Sequence, residues 1–357
     1  MSTTKLAQAF PWLQSPIIIN APMSGFATSS LAIAVTRAGG LGYIGFLSSL
    51  PELETHLQNA RQSLPPPPDT DILPIGLGII VAVTSPSAVT ALVAEYKPAV
   101  VWLSFGAPAD FAAWTAMIRT ASPHTHVWIQ IGSVTAAVEA ARACRPDALV
   151  IQGSDAGGHG HARGASLITL LPEVADALRA LALSDEDDEE DDRPVGKIPL
   201  IAAGGIVDGR GAAAAMVLGA AGVVMGTRFL AAEEAVVPAQ YREELFRASD
   251  GGEATARSRV FDEMWGPTFW PQMYDGRSLT NRWYEMEQQG VGIEVIRAEL
   301  QRDLGRLRET EGAFRDTKSL WAGSGVGLVK NIQKAAEIVE EVREDAKKRL
   351  QAGSALL

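Results

Sequence analysis

The sequence predicts an α/β fold in which eight parallel strands, each followed by a helix, close into a (β/α)8 TIM barrel with an additional C-terminal helical region. Apolar runs of strand length alternate with helix-like stretches from residue 17 onward, and we count eight such runs. The runs are continuously apolar, which is typical of strands covered on both faces. The last two runs end in glycine and pass directly into helix-forming residues.

The predicted strands cover residues 17–21, 41–45, 75–81, 99–104, 127–131, 148–152, 200–203 and 222–225. The predicted helices cover residues 29–38, 51–64, 85–95, 108–121, 135–143, 167–183 and 208–218. Several of these helices open with a proline or a capping residue, such as Asp208. An open, doubly wound sheet is the alternative, but its G-x-G-x-x-G fingerprint is missing after the first strand. A closed barrel is therefore favoured.

The barrel pattern ends near residue 232, and we predict three regions. Residues 1–232 form the cofactor-binding barrel, with an acidic surface insertion near 184–193; residues 233–320 form a helical and irregular cap on the substrate side. Residues 321–357 form a C-terminal segment and a helix packing back on the barrel. Apolar residues at helical spacing, Ile332, Ala336, Val339 and Val342, place that helix at 329–350. We expect it to close the barrel or to form the contact of a homodimer.

The charge and cysteine content exclude several classes of protein. The formal net charge is -11, but eight consecutive carboxylates at 185–192 account for most of it, so the rest is near neutral, at about -3, without a basic face for nucleic acid. The single cysteine, Cys144, forms no internal disulfide, and we interpret it as a packed residue in a reducing compartment. No targeting segment and no apolar stretch of membrane-spanning length is seen. We expect a cytoplasmic protein.

Because the C-terminal ends of barrel strands face the active site, the residues there are the candidates for function. These residues are Ala21, Pro22, Met23, Gly78, Ser104, Gln130, Gln152, Gly204, Gly205, Gly226 and Thr227. Glycines at the last two strand ends let a phosphate approach the main chain, where amides at the start of the next helix point. Two such turns in tandem predict a site for a phosphorylated cofactor.

The loop 152–161 carries a second signal, since four glycines surround His159. We expect His159 to project toward the ligand as a base or as a cation that holds an anion, and His161 competes for this role. His124 and His126 precede the fifth strand at the opposite end of the barrel, so we predict no metal site there. H-E-x-x-H, C-x-x-C and G-x-S-x-G patterns are absent, which disfavours a zinc enzyme and a serine hydrolase.

Three segments together resemble one known family. APMSGFATSSLAIAVTRAGGLGYIG, IQGSDAGGHGH and PLIAAGGIVDGRGAAAAMVLGAAGVVMGTRF are similar to the nitronate monooxygenases, formerly called 2-nitropropane dioxygenases, over about residues 16–232. WAGSGVGLVK continues the similarity weakly. The resemblance implies a flavin-dependent monooxygenase with non-covalent FMN. Such an enzyme oxidises alkyl nitronates, and in some cases nitroalkanes, with O2 to carbonyl compounds and nitrite.

The resemblance also implies roles for individual residues. It assigns His159 as the active-site histidine and places FMN-binding residues at Ala21, Pro22, Met23, Gln152, Gly157, Gly158, Gly204, Gly205, Val224, Met225, Gly226 and Thr227. The first three would lie along the isoalloxazine, and the last four with Gly205 would hold the phosphate. Many bacterial members have an asparagine in a G-x-N sequence where this chain has Gly78. One contact to FMN is therefore lost here or supplied from elsewhere.

Two other functions remain open at this stage. FMN-dependent NAD(P)H reductases, of the enoyl-acyl-carrier or quinone reductase type, share this barrel and a similar glycine-histidine loop. A phosphate-binding barrel without redox activity is the third reading, because phosphate cradles occur with many chemistries. The aromatic residues after the barrel either shape the substrate site or serve packing. They are Trp265, Trp270, Tyr274 and Trp283.

Overall fold

The computed structural model describes residues 2–45, 49–184, 193–310 and 312–354. The predicted acidic insertion falls on residues 185–192 and lies outside the described residues.

Eight parallel strands form the barrel, which confirms the predicted fold class. They are β1 Ile18–Asn20, β2 Tyr43–Ile44, β3 Leu73–Ile80, β4 Pro98–Ser104, β5 His126–Ile131, β6 Ala148–Gln152, β8 Leu200–Ala203 and β9 Gly222–Met225. Their spatial order is β1-β9-β8-β6-β5-β4-β3-β2, and a parallel bridge between Ile19 and Leu41 joins the two ends of this order. The C-terminal ends of all eight strands therefore meet at one face.

Helices cover the barrel and continue after it. The helices are α1 Ser2–Ala9, α2 Ser29–Arg37, α3 Leu50–Ser63, α4 Pro86–Tyr96, α5 Pro108–Ala121, α6 Val134–Cys144, α7 Leu167–Ser184, α8 Gly209–Val217, α9 Thr227–Leu230, α10 Ala239–Arg247, α11 Gly251–Ala254, α12 Val260–Glu263, α13 Arg282–Gln288, α14 Ile293–Glu309 and α15 Ala335–Ser354. Some predicted helices begin at a capping residue: Asp208, for example, accepts hydrogen bonds from the amides of Arg210 and Gly211.

Successive strand residues point alternately into the barrel and toward the helices, which gives two separate cores. The interior core contains Tyr43, Trp102 and Trp128, and the outer core lies between the strands and the helices. The ring of Tyr43 requires a glycine on the next strand, because a Cβ at Gly76 would lie 2.1 Å from it. Cys144 is buried without a disulfide, as predicted.

A second, three-stranded antiparallel sheet stands beside the barrel and was not predicted. It contains β7 Gly158–His161, β10 Thr255–Ser258 and β11 Tyr274–Leu279, in the order β10-β11-β7. We expected a loop at the first position and helices or irregular structure at the other two. The pairing of His159 with Gly276 ties the loop after β6 to the region after the barrel.

The C-terminal helix α15 packs on α8 and α2. It begins at Ala335, later than predicted, and two of the four apolar positions, Ile332 and Ala336, are exposed in this chain. The other two, Val339 and Val342, are buried as predicted. In the described part of the chain, no helix is both long enough and apolar enough to cross a membrane.

Candidate active site

A cavity of about 600 Å³ opens at the C-terminal ends of the barrel strands. Its size is typical of a small-molecule or cofactor site. Of the predicted site residues, those that line it are Ala21, Pro22, Met23, Gln152, Gly157, Gly158, His159, Gly204, Gly205, Val224, Gly226 and Thr227. The structure thus brings together residues that are as much as 200 positions apart in the chain.

Met225 is the exception among the predicted residues. Its side chain is fully buried in the outer core, between the barrel and the helices, while Val224 faces the interior and lines the cavity. The alternation of side chains along β9 explains the difference. Met225 contributes only its backbone near the site, where its carbonyl accepts a hydrogen bond of 2.9 Å from the amide of Ala21.

The two glycine turns form a cradle of backbone donors. Within the described chain, the amides of Gly204, Gly205, Gly226 and Thr227 donate to no acceptor, and all four residues line the cavity. Gly204 has a φ of +104° and Gly205 a φ of +72°, values that favour glycine. A Cβ at Gly204 would also lie 2.9 Å from the carbonyl oxygen of Gly153. Unpaired amides at strand ends are suited to bind an anion such as a phosphate.

Another part of the cavity wall is apolar and closely packed. Pro22 lies against Gly78, and a Cβ at Gly78 would come within 2.3 Å of the Pro22 Cβ. An asparagine at this position would therefore displace Pro22 from the wall. Glycine at position 78, in place of the asparagine of a G-x-N sequence, therefore leaves the space that Pro22 occupies.

Two side-chain amides link the barrel strands to the histidine strand. Gln130 donates from Nε2 to Oε1 of Gln152 at 3.0 Å, and Gln152 donates from Nε2 to the carbonyl of His159 at 3.1 Å. Gly160 leaves room for this arrangement, because a Cβ there would lie 2.6 Å from Gln152 Oε1. Gln152, predicted to touch the cofactor, thus also fixes the backbone of His159.

His159 lies in the cavity between a carboxylate and aromatic rings. Its Nε2 lies 2.9 Å and 3.0 Å from the two carboxylate oxygens of Asp262. The Trp270 ring stacks on the imidazole, with centroids 4.1 Å apart and planes inclined by 22°, and Trp321 lies at 4.6 Å. Phe105 faces the same group from 6.5 Å. The imidazole is therefore held in plane by a carboxylate and from its faces by aromatic rings.

The structure distinguishes the two histidines that competed in the sequence. His161 does not line the cavity; its ring contacts Tyr274 edge-on, with centroids 5.2 Å apart. Burial lowers the pKa of His161, and the nearby Arg257 charge lowers it further. His159 is thus the histidine that reaches the cavity.

Several lining residues were missed by sequence reasoning. Asp262 follows β10 at a position with no motif, and Phe105 follows β4 with a left-handed φ of +60°. Trp321 lies in the weakly similar WAGSG segment, which was the one available signal. Among the four aromatic residues left open, only Trp270 lines the cavity. The remaining three are packing or surface residues: Trp283 is fully buried, Tyr274 packs on Phe105, and Trp265 is 41% exposed.

At the opposite end of the barrel, His126 packs against Phe10, and burial lowers its pKa. Among the residues described, no group of three or more His, Cys, Asp or Glu side chains is arranged to hold a metal ion.

The sequence profile of the nitronate monooxygenases matches residues 10–345 of this chain. The chain belongs to this family. The nitronate monooxygenase npaC of Metarhizium robertsii is 40% identical, with 96% of this chain and 94% of the relative covered. The nitronate monooxygenase of Neurospora crassa is 36% identical, with 97% and 93% covered. The predicted family is confirmed, and the protein is an oxidoreductase of the monooxygenase class.

Two solved structures have a similar fold. FabK from Thermotoga maritima has a TM-score of 0.74 at 26% identity, with 99% of each chain covered. Nitroalkane oxidase from Streptomyces ansochromogenes has a TM-score of 0.70 at 24% identity, with 99% of this chain and 100% of that chain covered. The second likeness supports the fold alone. Nitronate monooxygenases are generally flavin-dependent, so the family implies a flavin cofactor.

Proposed function

We propose that this protein uses FMN and O2 to oxidise alkyl nitronates to carbonyl compounds and nitrite. The observation that carries the proposal is the meeting, in one cavity, of the glycine amide cradle with His159. A cradle of unpaired donors suits the phosphate, and a histidine held between a carboxylate and aromatic rings suits an anionic substrate or its proton.

The residues present fit FMN. The amides of Gly204, Gly205, Gly226 and Thr227 would hold the phosphate, because they have no protein acceptor among the described residues. The wall of Ala21, Pro22 and Met23 and the loop of Gln152, Gly157 and Gly158 would hold the ring and the ribityl chain. FMN supplies the electron transfer between the substrate and O2.

The protein residues have their own tasks in this reaction. His159 stabilises the negative charge of a nitronate when its ring nitrogen carries a proton. With a neutral nitroalkane, the same ring in its neutral form removes the α-proton. The rings of Trp270, Trp321 and Phe105 exclude water from the imidazole and limit the directions from which a substrate can approach.

An absorbance spectrum of the purified protein tests the proposal. We expect a flavin spectrum that bleaches when a nitronate is added without oxygen, and release of nitrite and a carbonyl compound when O2 is admitted. A colourless protein that does not quench FMN fluorescence would contradict the proposed cofactor and favour a phosphate-binding barrel without redox activity. A flavin-loaded protein that releases no nitrite would contradict the proposed substrate.

The likeness to FabK favours a second candidate, an FMN-dependent NAD(P)H reductase. The same anaerobic spectrum separates the two candidates when NADH or NADPH replaces the nitronate. Rapid bleaching by a nicotinamide, with no bleaching by a nitronate, would support the reductase. The opposite pattern would support nitronate oxidation.

A further inference from the structure

We infer that Asp262 is a positioning residue whose carboxylate holds His159 in the Nε2–H tautomer and leaves Nδ1 to act on the substrate. The role of Nδ1 rests on the proposed function, whereas the tautomer follows from the geometry. Both residues line the cavity, and their side chains are each 16% exposed. Asp262 therefore acts through His159.

The geometry at Asp262 sets the position of the imidazole proton. Both carboxylate oxygens lie within 3.0 Å of His159 Nε2. An ionised carboxylate only accepts hydrogen bonds, so Nε2 must donate. In the described chain, no other side chain hydrogen-bonds to this carboxylate. In the neutral imidazole, the lone pair is then on Nδ1.

Nδ1 is the ring nitrogen that remains available. It has no hydrogen-bond partner among the residues described, and it is not buried. His126 Nδ1, by contrast, is buried and unpartnered. Because His159 lines the cavity, its accessible Nδ1 is the atom that can meet a ligand there.

The fold holds both partners from one supporting sheet. His159 lies on β7 and pairs with Gly276 on β11, and β11 pairs with β10. Asp262 lies on α12, which begins two residues after β10. The carbonyl of Glu263, at the end of α12, accepts a hydrogen bond of 2.6 Å from Arg297 Nε. The distance between Asp262 and His159 is therefore set by a sheet and an anchored helix.

The arginine that precedes α12, Arg259, does not pair with the Asp262 carboxylate. Arg259, on the turn before α12, donates to the carboxylate of Glu263 at 2.9 Å and to the carbonyl of Tyr274 at 3.0 Å. Its guanidinium is therefore directed to other acceptors. Glu263 does not line the cavity, so it serves as a matched control on the same helix.

The test compares Asp262→Asn, Asp262→Glu and Glu263→Gln with the unaltered protein. Nitrogen-15 NMR of histidine-labelled protein reports which ring nitrogen carries the proton, at alkaline pH where imidazoles are neutral. The His159 signals are assigned by their loss in His159→Ala. We expect the Nε2–H form in the unaltered protein and a loss of that strict preference in Asp262→Asn, because the asparagine amide can also donate.

The kinetic readout complements the NMR signal. We expect Asp262→Asn to lower kcat roughly 10- to 100-fold, less than the 10²- to 10⁴-fold cost of removing a general acid or base, without raising KM, and to keep its flavin. Asp262→Glu should restore the tautomer and part of kcat, which also guards against misfolding in the asparagine variant. Glu263→Gln should match the unaltered protein in both readouts.

Three results would overturn the inference. They are an Nδ1–H imidazole in the unaltered protein, an unchanged kcat in Asp262→Asn, and an increased kcat in that variant. The last result would mean that the carboxylate competes with the substrate for the ring. If the unaltered protein oxidises no nitronate, the proposed function fails, while the NMR result still decides the tautomer.

Discussion

The cradle side and the histidine side of the cavity are built in different ways. The cradle consists of backbone amides at the ends of β8 and β9, two adjacent barrel strands. The histidine side consists of side chains from β7, α12 and the segments around Trp270 and Trp321. Under the proposed function, this difference corresponds to a division of tasks, in which the barrel backbone would bind the cofactor and the added elements would act on the substrate.

The strongest test of this division removes the histidine. We expect His159→Ala to keep its bound flavin, because the cradle is intact, and to lose turnover roughly 10²- to 10⁴-fold. The flavin content is measured by absorbance and the turnover by nitrite release. Full activity in this variant would remove His159 from the mechanism, and loss of the flavin would show that the two sides are not separable.

The converse test alters the cradle. Gly204→Ala places a methyl group 2.9 Å from the carbonyl of Gly153, and we expect FMN binding to weaken at least about tenfold, or about 1.4 kcal/mol. Gly219→Ala is the matched control, because Gly219 has the same φ of +104° with open space around its Cβ position. Fluorescence titration of FMN measures both. Equal FMN affinities in the two variants would contradict the role of the cradle in binding the phosphate.

A third test concerns a contact remote from both sides. Arg343 on α15 is buried and donates to the carbonyls of Pro16, Ala38 and Gly39. We expect Arg343→Met to lower the free energy of unfolding by about 3 kcal/mol, because the carbonyls of Pro16 and Ala38 lose their donor, while that of Gly39 keeps the amide of Gln14. The apparent FMN affinity of the folded protein should stay unchanged.

Arg349→Met is the control for this variant. The Arg349 guanidinium is 56% exposed and pairs with Asp345 on the same helix, so a change of at most about 0.5 kcal/mol is expected. Denaturant unfolding measures both variants. Similar effects on stability would show that the carbonyl contacts of Arg343 are unimportant.

The smallest expected effect is on the pH dependence of stability, through His161 on β7. Burial lowers the pKa of His161 below its ordinary value of 6.5, so the unfolded chain binds more protons below that pH. Folding therefore favours the neutral imidazole of His161. Its contribution to the free energy of unfolding is fully present above pH 6.5 and is lost as the pH falls toward the lowered pKa. The resulting slope is at most about 1.4 kcal/mol per pH unit.

We therefore expect His161→Gln to be less acid-sensitive than the unaltered protein, measured as the free energy of unfolding at a series of pH values. His124→Gln, at an exposed position, is the control and should keep the original slope. An unchanged slope in His161→Gln would contradict the prediction.

The same comparison explains how much the sequence could predict. All eight barrel strands were predicted because each is a continuous apolar run, a local signal. The second strand was predicted too long, since Gly42 and Gly45 pack against the backbones of Ala32 and Met23 and only Tyr43–Ile44 remain as strand. The cradle was also predicted from a local signal, because glycines directly follow the last two strands.

The histidine side depends on contacts between distant residues. His159 and Asp262 are separated by 103 positions, and no spacing rule connects them. The strand β7 has the sequence GHGH, which lacks the apolar or alternating pattern of a strand. The terminal helix was predicted to begin too early because Ile332 matches the helical period, although it precedes the helix and is exposed.

The three-stranded sheet has a consequence for protein engineering. Since β10 and β11 carry the neighbours of β7 within one hydrogen-bonded ladder, transplanting the histidine loop alone into a related barrel would deliver an imidazole without its support. A graft that keeps this support must include residues 158–161, residues 255–279 and Trp321. The support of His159 is therefore encoded in separate parts of the gene, since Trp321 also contacts the imidazole.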